Sequence, residues 1–155
     1  MAYNNEENTY KKVFDILEAA RGAGQRLEYV KKIIQGNQRE ILTDDMPVII
    51  LHCRKIGENW HAMPKQKKAT MELEVRGVMP VADRFQPFYN DANGKGILTL
   101  DGDIKDVLET DLSEGGTTLR PDISTETLRA VGEETWETVI SVRLFMNLFT
   151  SSERS

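Results

Sequence analysis

Two stretches of the chain alternate apolar and polar residues with the period of a β-strand. In Met71 to Met79, the residues Met71, Leu73, Val75 and Met79 fall on one side and Glu72, Glu74 and Arg76 on the other. In Glu137 to Phe149, the even positions from Ile140 onward are Ile140, Val142, Leu144, Met146 and Leu148, all apolar. The odd positions Ser141, Arg143, Phe145, Asn147 and Phe149 mix polar and aromatic side chains. Successive strand residues point to opposite faces, so each stretch predicts a strand with one face in the core and one only partly dry. Two such strands joined by a long connection predict an antiparallel sheet with a single packed face.

The rest of the pattern fills in around them. Val13, Phe14, Ile16, Leu17 and Ala20 form one helical stripe, capped at Asn8 or Thr9 and ended by Gly22 and Gly24. Residues 26–35 suit either a helix or a short strand, and the Gly36-Asn37 turn that follows favours the strand. Asp44-Asp45-Met46-Pro47 punctuates the chain before Val48 to Cys53, a β-branched run that reads as a strand buried on both faces. From Arg54 to Lys68 no period is visible, and Gly57, Pro64 and three lysines predict a long loop at about 57–68. The strand that opens at Met71 runs to Val81, and Asp83 to Lys95 is irregular. Leu100, Ile104, Val107, Leu108 and Leu112 predict a second amphipathic helix from Ile97, closed by Gly115-Gly116. Ile123 to Val131 reads as an edge strand paired with the last one through a turn at Gly132–Glu134, and the polar residues from about 150 as a frayed tail. The resulting order, α-β-β-β-α-β-β, predicts one α+β domain over 1–155: a mostly antiparallel sheet with two amphipathic helices packed on one face.

Composition narrows the possible functions. The 155 residues are 39% hydrophobic and 29% charged, with a net charge of −5, which argues against a protein that coats nucleic acid. A single cysteine, Cys53, cannot form an internal disulfide and is compatible with a reducing cytoplasm. No apolar run is long enough for a membrane helix, and the first residues lack the basic start and apolar run of a signal peptide.

Candidate chemistry is thin. His52 and Cys53 are adjacent on a strand and point to opposite faces, so they cannot act as base and nucleophile; a packed cysteine and a satisfied histidine is the simpler reading. His61 has no second histidine at ligand spacing. Asp91-Ala92-Asn93-Gly94 resembles the opening of a calcium loop, but Lys95 and Gly102 stand where ligands belong, which leaves an Asn-Gly turn. Gly22-Ala23-Gly24 and Gly115-Gly116 lack the lysine and serine of a phosphate loop. Asp101, Asp103, Asp106 and Glu109 read as the solvated face of the second helix. No catalytic residue, metal or cofactor is expected.

Two features hold more interest. Trp60, His61, Met63, Lys65, Lys67 and Lys68 combine aromatic and basic residues on the 57–68 loop, which is either a solvated basic loop or a partner-binding arm. Arg143, Phe145 and Phe149 lie on the face of the last strand opposite its core side, under helix cover or at a subunit interface.

The order of elements, with Asp45-Met46-Pro47-Val48-Ile49-Ile50, the strand Glu72 to Gly77, the helix Leu98 to Leu112 closing in Leu-Ser-Glu-Gly-Gly, and the final strand Val139 to Phe149, resembles the tail-terminator (tail-completion) proteins of long-tailed bacteriophages. The resemblance implies a non-enzymatic virion protein, assembled in the host cytoplasm into a hexameric ring. Such a ring caps the tail tube, stops its polymerisation and offers the surface for head joining. Its partners would be the tail-tube protein and a head-neck protein, with DNA passing through the lumen without specific binding. A head-completion or neck connector protein is the near alternative, and a small-molecule-binding α+β domain the alternative of another class.

Overall fold

A computed structural model describes residues 6–36, 45–60, 66–80, 96–114, 120–131 and 135–149. Helix α1 spans Glu6–Ala19, strand β1 Lys32–Gln35, β2 Val48–Trp60 and β3 Gln66–Pro80. Helix α2 follows at Ile97–Glu114, then β4 at Arg120–Ala130 and β5 at Thr135–Phe149. The strands form one sheet in the order β1-β2-β3-β5-β4. Only β1 and β2 run parallel; every other pair is antiparallel. The fold is therefore α+β, with both helices on the same side of the sheet.

That side is set by the alternation of β3 and β5. Leu73 stands opposite Val142, Met71 opposite Leu144 and Val75 opposite Ile140, all buried beneath the helices. Ile123 of β4 extends the row beyond Val142. From above, Val13 and Leu17 of α1 and Leu100, Ile104 and Leu108 of α2 complete the core. Side chains of α2 pack directly on Gly77, where a Cβ would lie 2.9 Å from Leu100 Cδ2 and 3.0 Å from Ile104 Cδ1. A side chain there would force Leu100 and Ile104 to shift.

Strand β2 is buried on both faces over Val48 to Leu51, as its β-branched run predicts. Ile49 and Leu51 join the main core, while Val48 and Ile50 join Met46, Val78 and Ile34 in a second, smaller cluster on the face turned away from the helices. The Met46–Pro47 peptide bond ahead of this strand is cis.

Several boundaries differ from the sequence pattern, among them the starts of β4 at Arg120 and β5 at Thr135, where the pattern predicts Ile123 and Glu137. The predicted loop at 57–68 is largely strand: Gly57 to Trp60 continue β2, Gln66 to Lys68 open β3, and Trp60 pairs with Lys67. Backbone pairing holds these residues in the ladder whatever their side chains, which is why the lysines and Gly57 hid it. Helix α1 already includes Glu6, so Asn8 and Thr9 lie inside its first turns, and Thr9 is buried. Of residues 26–35 only Lys32–Gln35 are strand, and the preceding turns carry the buried Leu27 and Val30 into the core. The predicted irregular stretch at 83–95, the turns at 115–116 and 132–134, and the tail from 150 lie outside the described residues.

The turn segment between α1 and β1 is tied down by polar contacts. Arg21 donates to the carbonyls of Val30 and Lys31 and to Glu18, clamping the segment's two ends together. Tyr29 Oη donates to Asp103 of α2 at 2.8 Å, and Arg26 pairs with Asp106. Burial, and then the hydrogen bond and charge of Asp103, push the Tyr29 phenol well above its ordinary value.

Two outcomes are expected. Val142→Asp buries an unpartnered carboxylate at a fully buried position and should unfold the domain, a loss of several kcal/mol against a total of about 5 to 15. Arg143→Asp, one residue on and exposed, should leave the fold intact, and thermal melts of the two variants decide. Tyr29→Phe should lower stability by about 1 kcal/mol at neutral pH. Tyrosine in the unfolded chain ionises near pH 10, whereas the folded phenol resists ionisation. Its contribution is therefore complete below about pH 10 and lost as pH rises above it. Urea melts between about pH 10 and 12 should accordingly show a shallower decline in the Phe variant.

Candidate functional site

The residues of β3 and β5 that do not face the helices form a second surface, the outer face of the sheet. Strand register orders it into rows that cross β2, β3, β5 and β4. One row runs Glu72, Arg143, Asp122, alternating in charge. The next runs His52, Glu74, Ser141, Ser124, and the one after Ile50, Arg76, Val139, Thr127. The last runs Val48, Val78, Glu137, Arg129. Toward the Val48 row the face is buried; toward Arg143 and Phe145 it is exposed, Phe145 by 42%.

Two β-bulges shape this face. One lies between Cys53 and Lys55 in β2, the other between Thr125 and Thr127 in β4. Arg54, the residue at the first bulge, donates to Glu74 at 3.0 Å, to Glu72 at 3.2 Å and to Glu126, the residue at the second, at 2.7 Å. The Arg54–Glu126 bridge must cross β5, and the outer-face residue of β5 between Val139 and Arg143 is the small Ser141. The hydrogen bond to Glu126 is the main reason the Arg54 guanidinium holds its proton beyond its ordinary range. In return Arg54 draws the Glu126 carboxyl below the usual carboxylate range.

Further along, Glu137 is fully buried and shared by two guanidiniums. Arg76 Nη2 donates to Oε2 at 2.6 Å and Arg129 Nε to Oε1 at 2.6 Å. Three charge-assisted bonds, two from Arg76 to one oxygen and one from Arg129 to the other, offset the loss of hydration that burial of a carboxylate costs.

A buried polar cluster also sits on the helix side. Asp101 of α2 accepts from Thr125 Oγ1 and Thr138 Oγ1, each at 2.6 Å, and pairs with Lys105 at 2.9 Å. This corrects the reading of the α2 carboxylates as one solvated face. Asp101 is buried, and Asp103 is held by Tyr29; Asp106 and Glu109 are exposed. The signal was present in the spacing, because Asp101 falls four residues after Ile97 and three before Ile104, on the apolar stripe itself. Between α1 and α2 lies a shallow groove of about 580 Å³, lined by Asn8, Lys11, Lys12, Asp15, Ile16, Ala19 and Asp111.

No protein-family model matches the sequence, and no curated protein matches it. The reading of the outer face therefore rests on its geometry.

Of the residues singled out from sequence, Arg143 and Phe145 share the exposed end of the outer face. Phe149 pairs with Gln66, Trp60 with Lys67, and Lys67 with Leu148, so these backbones gather at the same end of the sheet. They meet at one end but not on one face: Trp60 and Lys67 fall in the register of the helix-side residues, Phe145 and Phe149 in that of the outer face. His61, Met63 and Lys65 lie outside the described residues. His52 and Cys53 point to opposite faces as the strand period requires, Cys53 toward the core and His52 into the row of Glu74. Among the described residues no group of three or more His, Cys, Asp or Glu is arranged to hold a metal, and no helix is long and apolar enough to cross a membrane. Where Glu72, Glu74 and Glu126 converge, the cation between them is Arg54.

The two acidic sites should respond differently to loss of charge. Glu137→Gln removes the carboxylate that Arg76 and Arg129 share, and should cost about 3 kcal/mol. Glu126→Gln, at the solvent-exposed bulge, should change stability by less than about 1 kcal/mol. Chemical denaturation of both variants at neutral pH checks the contrast.

Proposed function

We propose that this protein is a structural subunit of the tail terminus of a long-tailed bacteriophage. It closes as a ring on the end of the tail tube, stops tube growth and presents the surface to which the head joins. The observation that carries this reading is the division of the sheet into two faces. All the described helices pack on one side, so the subunit completes its own core there. The other side leaves Phe145 and Arg143 exposed on a platform of long paired strands. A ring needs such a rigid patch to meet a different patch on its neighbour, because a cyclic contact joins unlike surfaces.

The element order supports the same reading, since it is the order on which the resemblance to tail-terminator proteins rests. The net charge of −5 suits a lumen that DNA passes through without adhering. Trp60, His61, Met63, Lys65, Lys67 and Lys68 are the residues assigned to contact the tail tube, and the described backbones among them lie at the end of the sheet that also carries Phe145. A tail terminator needs no catalytic group, and none is assigned here.

The test mixes purified protein with tail tubes and measures tube length and end structure by negative-stain electron microscopy. Wild type should leave rings on tube ends and hold the tubes at a fixed length. Arg143→Asp should fold normally but let the tubes overgrow, because a reversed charge at a subunit contact opposes association. A ring that binds head connectors and ignores tubes would shift the assignment to a head-completion protein. If the Asp variant caps tubes as well as wild type, this face is not the ring contact.

A further inference from the structure

The outer edge of β4 carries a second interaction surface. Strand β4 ends the sheet, and among the described residues no strand pairs with its far side. Asp122, Ser124, Glu126, Thr127, Arg129 and Ala130 are exposed. Read from both ends, the strand is a chemical palindrome about Thr125 and Glu126. Pro121 mirrors Ala130, Asp122 mirrors Arg129, Ile123 mirrors Leu128 and Ser124 mirrors Thr127.

In a regular strand that symmetry would have no use. Mirror positions would be an odd number of residues apart and would point to opposite faces. The bulge between Thr125 and Thr127 inserts one residue at the centre of the palindrome and restores the match. Ile123 stands beside Val142 and Leu128 beside Thr138, both on the helix side, and both pack against the core. Asp122 stands beside Arg143 and Arg129 beside Glu137, both on the outer face.

We propose that a second copy of this chain pairs antiparallel with β4 across a two-fold axis at the bulge, joining two five-stranded sheets into one continuous sheet. In this register Asp122 meets Arg129 of the second copy, and by symmetry the pair occurs twice. Ile123 meets Leu128 and extends the apolar layer beneath the helices. Ser124 meets Thr127. Arg129 remains 60% exposed with its Nε on Glu137, so an incoming carboxylate can still reach the guanidinium. Edges are usually blunted by prolines, charges and bulges that spoil pairing. Here the charges are complementary in the two-fold register and the bulge lies on the axis. An edge of 11 residues spans about 36 Å, a contact of the small, weakly associating class. The dimer therefore forms and dissociates with concentration, and it leaves the Arg143 and Phe145 patch uncovered. The proposal does not rest on the tail assignment.

Cysteine cross-linking in a Cys53→Ala background tests the register. Ser124→Cys and Thr127→Cys proteins, mixed and mildly oxidised, should give a disulfide-linked dimer, because directly opposite Cα atoms lie at about 4.5 to 5.5 Å. Ser124→Cys alone should give little, since its two copies would be three residues out of step, about 10 Å along the strands. In sedimentation velocity, wild type should show a concentration-dependent dimer. Asp122→Arg should weaken it about tenfold while circular dichroism shows the domain still folded, because two arginine pairs would then face each other across the dimer. Arg143→Asp should leave it unchanged, which separates this contact from the ring contact. The proposal is overturned by a wild type that stays monomeric at every concentration, by equal cross-linking of like variants, by an Asp122→Arg protein that dimerises normally, or by loss of the dimer in Arg143→Asp.

Discussion

Pairing of β3 with β5 governs the rest of the molecule. Fifteen residues of each strand are in register from Gln66 and Phe149 to Pro80 and Thr135, without a bulge. Because side chains alternate, this ladder decides at once which residues meet the helices and which do not. It puts Leu73 beside Val142 and Val75 beside Ile140 in the core, and on the other side puts Glu72 beside Arg143 and Val78 beside Glu137. A slip of one residue would turn the apolar layer outward and drive the charges beneath α2. Both bulges fall in β2 and β4, which flank this pair, so irregularity is confined to strands whose shift leaves the central ladder intact.

Much of this was readable in the chain because the two central strands alternate cleanly and β2 opens with the uninterrupted apolar run Val48 to Leu51. Element order, the inward face of β5, the position of α2 and the edge status of β4 all follow from residue period. What escaped has a common physical cause. The extensions of β2 to Trp60 and of β3 back to Gln66 depend on backbone pairing with a neighbour, and carry no side-chain period of their own. Asp101 and Glu137 look like surface carboxylates, and only their partners, two threonines with a lysine and two arginines, make burial tolerable. Thr125, Thr138 and Arg76 among them come from strands distant in sequence from the acid they satisfy. Arg143 and Phe145 could be placed on the outer face from the alternation alone, but that they share one end of the sheet with the Trp60 and Lys67 backbones required the register.

The outer face is also an electrostatic construction. Its charges are paired across strands, not along them: Arg54 reaches three glutamates on two strands, and Glu137 draws an arginine from each side. Arg54, Arg76, Arg129 and Glu137 are thereby partnered within the sheet itself. Beside these paired charges Phe145 stays exposed at the end of β5.

Gly77 and Asp101 together describe how α2 is seated, one by the absence of a side chain and the other by a hydrogen-bonded carboxylate facing Thr125 and Thr138. Apolar core positions can exchange Leu, Ile, Val and Met with modest loss. This glycine and this acid–hydroxyl trio cannot be exchanged so freely, because each solves a geometric problem that volume alone does not. A descendant sequence could lose nearly all its identity to this one and keep the fold. The durable trace of common ancestry would then be a glycine late in the third strand, an aspartate on the apolar stripe of the second helix, and a hydroxyl on each of the last two strands.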